Sequence, residues 1–271
     1  MITTDADSLA RHLREDLKIA PDDLVFLFTG VWGLGKLKNG LGDITDAFRR
    51  VLPEGLLLIP TFSYSWGKNE VFDPKTTPCP DMGVYPNTVF QEPDFIRTNN
   101  PNFSAAALRT EKNAALIADL FNVDDTCFGE HSVFGNVVRY SRKRRAWILL
   151  LGGAFKDCLF RCTFIHYAQM KVGVPHRYEK KFHDPAGSSR VVPQLVRFLS
   201  REEYVVVRDR EPDLPLPAEE DFAPFAAELL ARGALIRKPF AFYESRMCSV
   251  NDCVDVFEEK LKADPYYCLK R

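Results

Sequence analysis

The chain of 271 residues has almost no surplus charge of either sign: 36 lysines and arginines face 37 aspartates and glutamates, for a formal net charge of -1. So balanced a chain carries no global field that selects for nucleic acid or an anionic membrane, and partners have to be argued from local sites. No apolar run approaches the roughly 20 residues that span a bilayer. The first residues, Met1-Ile2-Thr3-Thr4-Asp5-Ala6-Asp7, lack the basic and then apolar pattern of a secretory leader, so a cytoplasmic protein is expected. The cysteines, Cys79, Cys127, Cys158, Cys162, Cys248, Cys253 and Cys268, are odd in number and form no CxxC pair, which points to buried reduced thiols and to no metal site. Internal repeats and low-complexity tracts are absent. What the chain has in quantity is hydrophobic residues, 46% of the total, enough to fill a substantial core.

Hydrophobic spacing then gives an order of elements. Leu9, Leu13 and Leu17 mark an amphipathic helix over Ser8 to Lys18, with His12 off the apolar stripe and expected in solvent. Asp23 to Thr29 reads as a buried strand, followed by a connection holding Gly30, Trp32, Gly33, Leu34 and Gly35, where a glycine-rich backbone can approach a ligand closely. A helix over Asp43 to Val51 and a second strand over Gly55 to Pro60 complete the order of a βαβ unit. From residue 63 to 101 the prolines at 74, 78, 80, 86, 93 and 101 predict a long irregular excursion over an active cleft. Helices are expected over Lys112 to Phe121, Ser132 to Tyr140, Phe222 to Arg232 and Ser249 to Leu261, and a strand over Glu202 to Arg208. The acidic run Glu219-Glu220-Asp221 suits the N-terminus of the Phe222 helix. The expected fold is a single α/β domain, residues 1–271, with helices on both faces of a central mixed sheet.

The most informative stretch is Cys162-Thr163-Phe164-Ile165-His166-Tyr167-Ala168-Gln169. It follows an apolar strand, Trp147 to Leu151, closed by Gly152-Gly153, so His166 falls just beyond a strand's carboxyl end, where α/β enzymes place their chemistry. Taken alone, such a histidine is more often a hydrogen-bonded core residue. Thr163, one helical turn earlier, would share its face or serve as the helix N-cap.

Several segments, in order, resemble the aminoglycoside 3-N-acetyltransferase family: VFLFTGVWGLG from Val25 to Gly35, LLLIPTFS from Leu56 to Ser63, Met82-Gly83, RTNNPNFS from Arg97 to Ser104, HSVFG from His131 to Gly135, ILLLG from Ile148 to Gly152, and CTFIHYAQ. The resemblance runs from about Ile19 to the C-terminus. It implies acetyl-CoA as acyl donor, lodged along the Thr29 to Gly35 loop with Ser104, and His166 as the catalytic histidine with Thr163 beside it. Members of the family are often dimers, so a homodimer is expected. The sequence departs from the family pattern at Asn100, where a histidine is usual, and at Gln169, where a glutamate is usual.

Acyl transfer to an amine needs the amine uncharged, a donor for the oxyanion and a proton for the leaving thiolate. His166 suits proton removal if a second group fixes its tautomer. Glu179, Asp184, Asp209 and Asp213 are candidates for the carboxylate, with Asp184 preferred. Tyr64, Asn100 and Arg177 are candidates for holding the acceptor, although Asn100 and Ser104 would equally cap a turn. Basic residues at 142 to 145, 171, 177, 180 and 181 favour an anionic, nucleotide-linked amino sugar of a biosynthetic reaction over a polycationic aminoglycoside antibiotic, which is the alternative acceptor. Two further readings stay open. Cys158 or Cys162 could form a covalent acyl intermediate with His166, or the chain could be a sugar-binding paralogue without catalysis, given Asn100 and Gln169.

Overall fold

The structure is a computed structural model that describes residues 2–270. In chain order its elements are β1 (Thr3–Thr4), α1 (Ala6–Arg11), β2 (Leu24–Thr29), β3 (Lys36–Leu37), α2 (Gly42–Val51), β4 (Leu56–Pro60), α3 (Val84–Val89), β5 (Phe95–Arg97), β6 (Ala105–Leu108), α4 (Ala114–Leu120), α5 (Val133–Ser141), β7 (Ala146–Leu151), α6 (Phe164–Val172), β8 (Arg177–His183), β9 (Val191–Arg197), α7 (Arg201–Arg208), α8 (Ala223–Ala231), β10 (Leu235–Phe240), β11 (Tyr243–Ser249) and α9 (Val250–Ala263). A seven-stranded mixed sheet in the order β10-β11-β7-β2-β4-β6-β5 forms the centre.

Its middle is parallel, β7 with β2 and β2 with β4, while the outer pairings are antiparallel. Central strands buried on both faces need apolar residues at every position, which is why LVFLF and LLLI read as unbroken runs. Alternation still decides the faces. Leu24, Phe26 and Phe28 join a core with α4, α5, α6, α8 and α9, whereas Val25 and Leu27 join one with α1, α2 and α3. Burying a phenylalanine such as Phe26 contributes about 1.5–3 kcal/mol relative to leaving it exposed.

Three expectations fail here. The Glu202 to Arg208 segment is helix α7, not a strand: Ser200 caps it by accepting from the Glu203 amide, Glu203 in turn accepts from the Leu199 amide, and Val206 is 84% exposed. These contacts at the helix start outweigh the β-branched Val205-Val206-Val207 run, since strand propensity yields to local hydrogen bonding there. His12 is buried, not solvated. After α1 the chain passes into a π-helical turn over His12–Asp16, whose wider pitch breaks the 3.6-residue phase and turns the ring inward onto Phe240, with Asp16 on Nδ1 and Ser245 on Nε2, both at 2.8 Å. Finally, the excursion from 63 to 101 is not wholly irregular, since it holds α3 and edge strand β5 and is tied down by buried Arg97, which reaches Ser104 and the Thr61 and Thr77 carbonyls.

Candidate active site

Thr29 and Leu151 are register partners at the carboxyl ends of β2 and β7, so the loops after both strands leave the sheet side by side. They approach so closely that only glycine fits. A Cβ on Gly33 would lie 2.1 Å from the Gly152 carbonyl oxygen, and one on Gly30 would lie 2.5 Å from it. Beside this glycine contact runs an apolar channel of about 540 Å³, lined by Phe28, Thr29, Gly30, Val31, Trp32 and Phe155 on one side and by Asp81, Met82, Gly83 and Val84 from the excursion on the other. The Thr29 hydroxyl is buried there without a partner among the described residues.

Thr29, Gly30 and Trp32 therefore line the channel as a ligand loop would. Gly33, Leu34 and Gly35 do not, and are corrected to packing roles: Gly33 meets Gly152, Leu34 is fully buried in the core, and Gly35, at φ 77°, lies against the Ile2 carbonyl oxygen. Ser104 is likewise a structural residue, fully buried and held by Arg97, Thr61 Oγ1 and the Thr61 carbonyl.

A second cleft, of about 400 Å³, adjoins the channel where Arg161 stacks on Phe155. It is lined by Tyr64, Phe103, Arg161, His166, Arg177, Arg197 and Glu220, among others. His166 sits in the first turn of α6, half-buried against Phe128. Its Nδ1 lies 2.7 Å from Gln169 Oε1, and its Nε2 has no partner among the described residues. Burial and the nearby Arg177 charge lower its pKa to about 3, against a smaller opposing effect of Glu220, so the ring is neutral throughout the physiological range. Thr163 precedes α6, is buried, and makes no capping bond with its side chain.

The carboxylate associated with His166 is Glu220. Gln169 Nε2 donates to Glu220 Oε1 at 2.7 Å, His176 Nε2 lies 3.1 Å from the same oxygen, and Arg177 grips both oxygens through Nε at 3.1 Å and Nη2 at 2.6 Å. Burial by itself would raise the Glu220 pKa, but the hydrogen bond from His176 and the Arg177 charge outweigh it and hold the carboxyl well below the usual range. Asp184, by contrast, belongs to the β8–β9 hairpin turn, where it accepts from the Ala186 amide and the Ser188 hydroxyl. It does not orient His166.

Arg177 is also reassigned, because a guanidinium spent on a buried carboxylate is not free to anchor phosphate. Asn100 is a turn residue: its Oδ1 accepts from the Asn102 and Phe103 amides and its Nδ2 donates to the Asp125 carbonyl. Tyr64 stays on the cleft, edge-on to Phe103. Of the basic residues, Arg142, Arg144 and Arg145 pair with Asp255, Asp22 and Asp23 at the opposite end of β7, roughly 20 Å from Gly152 at a strand's rise per residue. Lys171 and Lys180 pair with Glu258 and Glu203. The arginines that do reach the cleft without a carboxylate partner among the described residues are Arg161 and Arg197, neither singled out by the sequence. Glu220 was visible only as part of an acidic run, of which Asp221 alone caps the α8 entry while Glu219 pairs with Lys270.

A neutral imidazole, held at one nitrogen and facing a cleft with the other, lies beside an apolar channel at the carboxyl edge of parallel strands, where α/β enzymes place their chemistry. The model of the aminoglycoside 3-N-acetyltransferase family matches residues 29–262, and the chain belongs to this family of acyl-CoA-dependent N-acyltransferases. Among solved structures it is similar to the apoenzyme of aminoglycoside acetyltransferase AAC(3)-IVa, at 20% identity and a TM-score of 0.74 over 100% of this chain and 94% of that one. It is similar also to AAC-IIIb in a binary complex with CoASH, at 20% identity and a TM-score of 0.69 over 96% and 97% of the two chains. The YokD protein of Bacillus subtilis shares the fold at 17% identity and a TM-score of 0.67, over 96% and 93%. No curated protein matches the chain by sequence.

Proposed function

We propose that the protein transfers the acetyl group of acetyl-CoA directly to an amine of an amino sugar, with His166 as general base. The observation that carries this is the ring itself, fixed through Nδ1 and presenting a free Nε2 to a cleft that abuts an apolar channel. The channel suits the pantetheine arm of a thioester: its walls are apolar, and the orphaned Thr29 hydroxyl needs a polar partner. Bound there, acetyl-CoA would supply an electrophilic carbonyl and a sulfur leaving group. His166 takes the proton from the amine nitrogen as the nitrogen–carbon bond forms, when that nitrogen becomes strongly acidic, and the proton is then available for the departing sulfur. A weakly basic imidazole is sufficient for a proton removed at that stage.

Direct transfer is favoured over an acyl-cysteine. Cys162 is buried with its sulfur 3.4 Å from that of Cys253, and the Cys158 thiol donates to the Phe160 carbonyl. Catalysis is favoured over a binding role because Asn100 serves a turn and Gln169 still holds His166.

The family and the neighbours, among them AAC(3)-IVa complexes with apramycin and with a gentamicin, favour an aminoglycoside as acceptor. A specific observation favours the second reading, a nucleotide-linked amino sugar: Glu220, the one carboxylate lining the described cleft, is spent on Arg177, while Arg161 and Arg197 are available to an anion. Thiol release with acetyl-CoA and a panel of gentamicin, apramycin and nucleotide-linked amino sugars tests both. His166→Ala should lower the rate by orders of magnitude, and wild-type-like turnover would remove the role given to that residue.

A further inference from the structure

The hydrogen-bonded chain His166–Gln169–Glu220–Arg177 contains a constraint that no single pair in it expresses. Glu220 is ionised and can only accept, so the Gln169 amide must turn its NH₂ group towards it, at 2.7 Å from Oε1. This leaves Gln169 Oε1 facing His166 Nδ1, and an amide oxygen can only accept. The proton of the neutral ring must then sit on Nδ1. We propose that Glu220, acting through the amide of Gln169, is the positioning residue that fixes His166 with its proton on Nδ1 and its lone pair on Nε2, facing the cleft. Arg177 and His176 hold Glu220 in turn, and Gln169 is fully buried, so water does not compete for the amide.

The inference rests on the reading of His166 as base only for its effect on rate; the tautomer is independent of it. It also reverses the naive expectation for position 169. A glutamate there would face Nδ1 directly, but its second oxygen would replace the amide nitrogen 2.7 Å from Glu220 Oε1, a like-charge contact in a buried site. Gln169→Glu should therefore be harmful here. The swap Gln169→Glu/Glu220→Gln should relieve it, because the amide then at position 220 can donate to the carboxylate at position 169 and still accept from Arg177. The charged or titratable groups facing the ring are Arg177 of β8, Glu220 before α8 and Arg161 before α6, with Tyr64 and Arg197 across the cleft. The swap leaves their total charge unchanged but brings the carboxylate onto Nδ1.

The test uses the full chain, ¹⁵N-labelled at its five histidines, with His166 identified by the signal lost in His166→Asn. Long-range ¹⁵N spectra of the wild type should show one tautomer, protonated at Nδ1. In Glu220→Gln the amide chain can run in either direction, so both tautomers should appear. With acetyl-CoA and the best acceptor of the panel, Gln169→Glu should lose roughly tenfold to a hundredfold in kcat with KM little changed. The swap should recover most of that loss and move the acid limb of kcat/KM to higher pH. An unchanged single tautomer in Glu220→Gln, or a swap no better than Gln169→Glu alone, would overturn the proposal. If the tautomers respond as stated and no variant, wild type included, turns over any amine, the positioning role stands and the transferase reading falls.

Discussion

Replacing His166 by asparagine tests the site through two magnitudes at once. Asparagine keeps a polar group beside Gln169 but cannot take a proton, so the loss in kcat should be that of a general base, about 10²–10⁴-fold, equivalent to roughly 3–5 kcal/mol of barrier at 1.36 kcal/mol per decade. The second magnitude is stability. His166 has a folded-state pKa of about 3, below its ordinary value near 6.5, so between those limits the unfolded chain binds a proton that the folded chain refuses. Stability contributed by this group is therefore complete above the unfolded pKa and falls as pH drops. The slope approaches about 1.4 kcal/mol per pH unit once the unfolded ring is fully protonated, and integrates to about 1.6 kcal/mol between pH 6.5 and 5. The wild type should show that decline relative to His166→Asn in urea unfolding at matched pH. Carboxylates and the buried His12 titrate in both proteins and cancel in the difference. Parallel pH profiles of the two proteins would show that the ring is freely protonated in the folded state, and activity within a few-fold of wild type would refute its role as base.

Gly33→Ala should distort the loop pair after β2 and β7, since its Cβ would stand 2.1 Å from the Gly152 oxygen; calorimetry should show weakened coenzyme A binding, and unchanged affinity would mean that the contact does not shape the channel. Trp32, 57% exposed and edge-on to Tyr243, has little packing to lose, so Trp32→Ala should raise the KM for acetyl-CoA while thermal unfolding stays within a degree or two of wild type. Arg161→Met should discriminate between acceptors, weakening a nucleotide-linked amino sugar by about 1.5–3 kcal/mol, the worth of a charge-assisted hydrogen bond, and leaving gentamicin turnover unharmed. Ser200→Ala should cost about 1 kcal/mol through loss of the α7 cap, measurable by urea denaturation with activity at native conditions retained.

How much of this was legible in the chain follows from the range of each interaction. The central strands, the helices on both faces and the place of His166 beyond β7 are set by apolar periodicity and by glycines within a few residues, and these were readable. The S-x-x-E pattern at Ser200 and Glu203 was readable too, and the Val205–Val207 run masked it. His12 escaped because a π-helical turn has no 3.6-residue signature.

Local spacing along the chain sets the α/β order, the glycine loop after β2 and the position of His166 beyond β7. Only the tertiary structure decided which carboxylate serves that histidine, since Glu220 lies 51 residues from Gln169 and is chosen by burial: an enclosed arginine, histidine and amide demand one common acceptor, and the packing of β8 and the chain before α8 against α6 supplies it. The same packing withdrew Arg177 from the acceptor and left Arg161 and Arg197 facing the cleft, for whether a charge is paired or free is a property of what surrounds it in space.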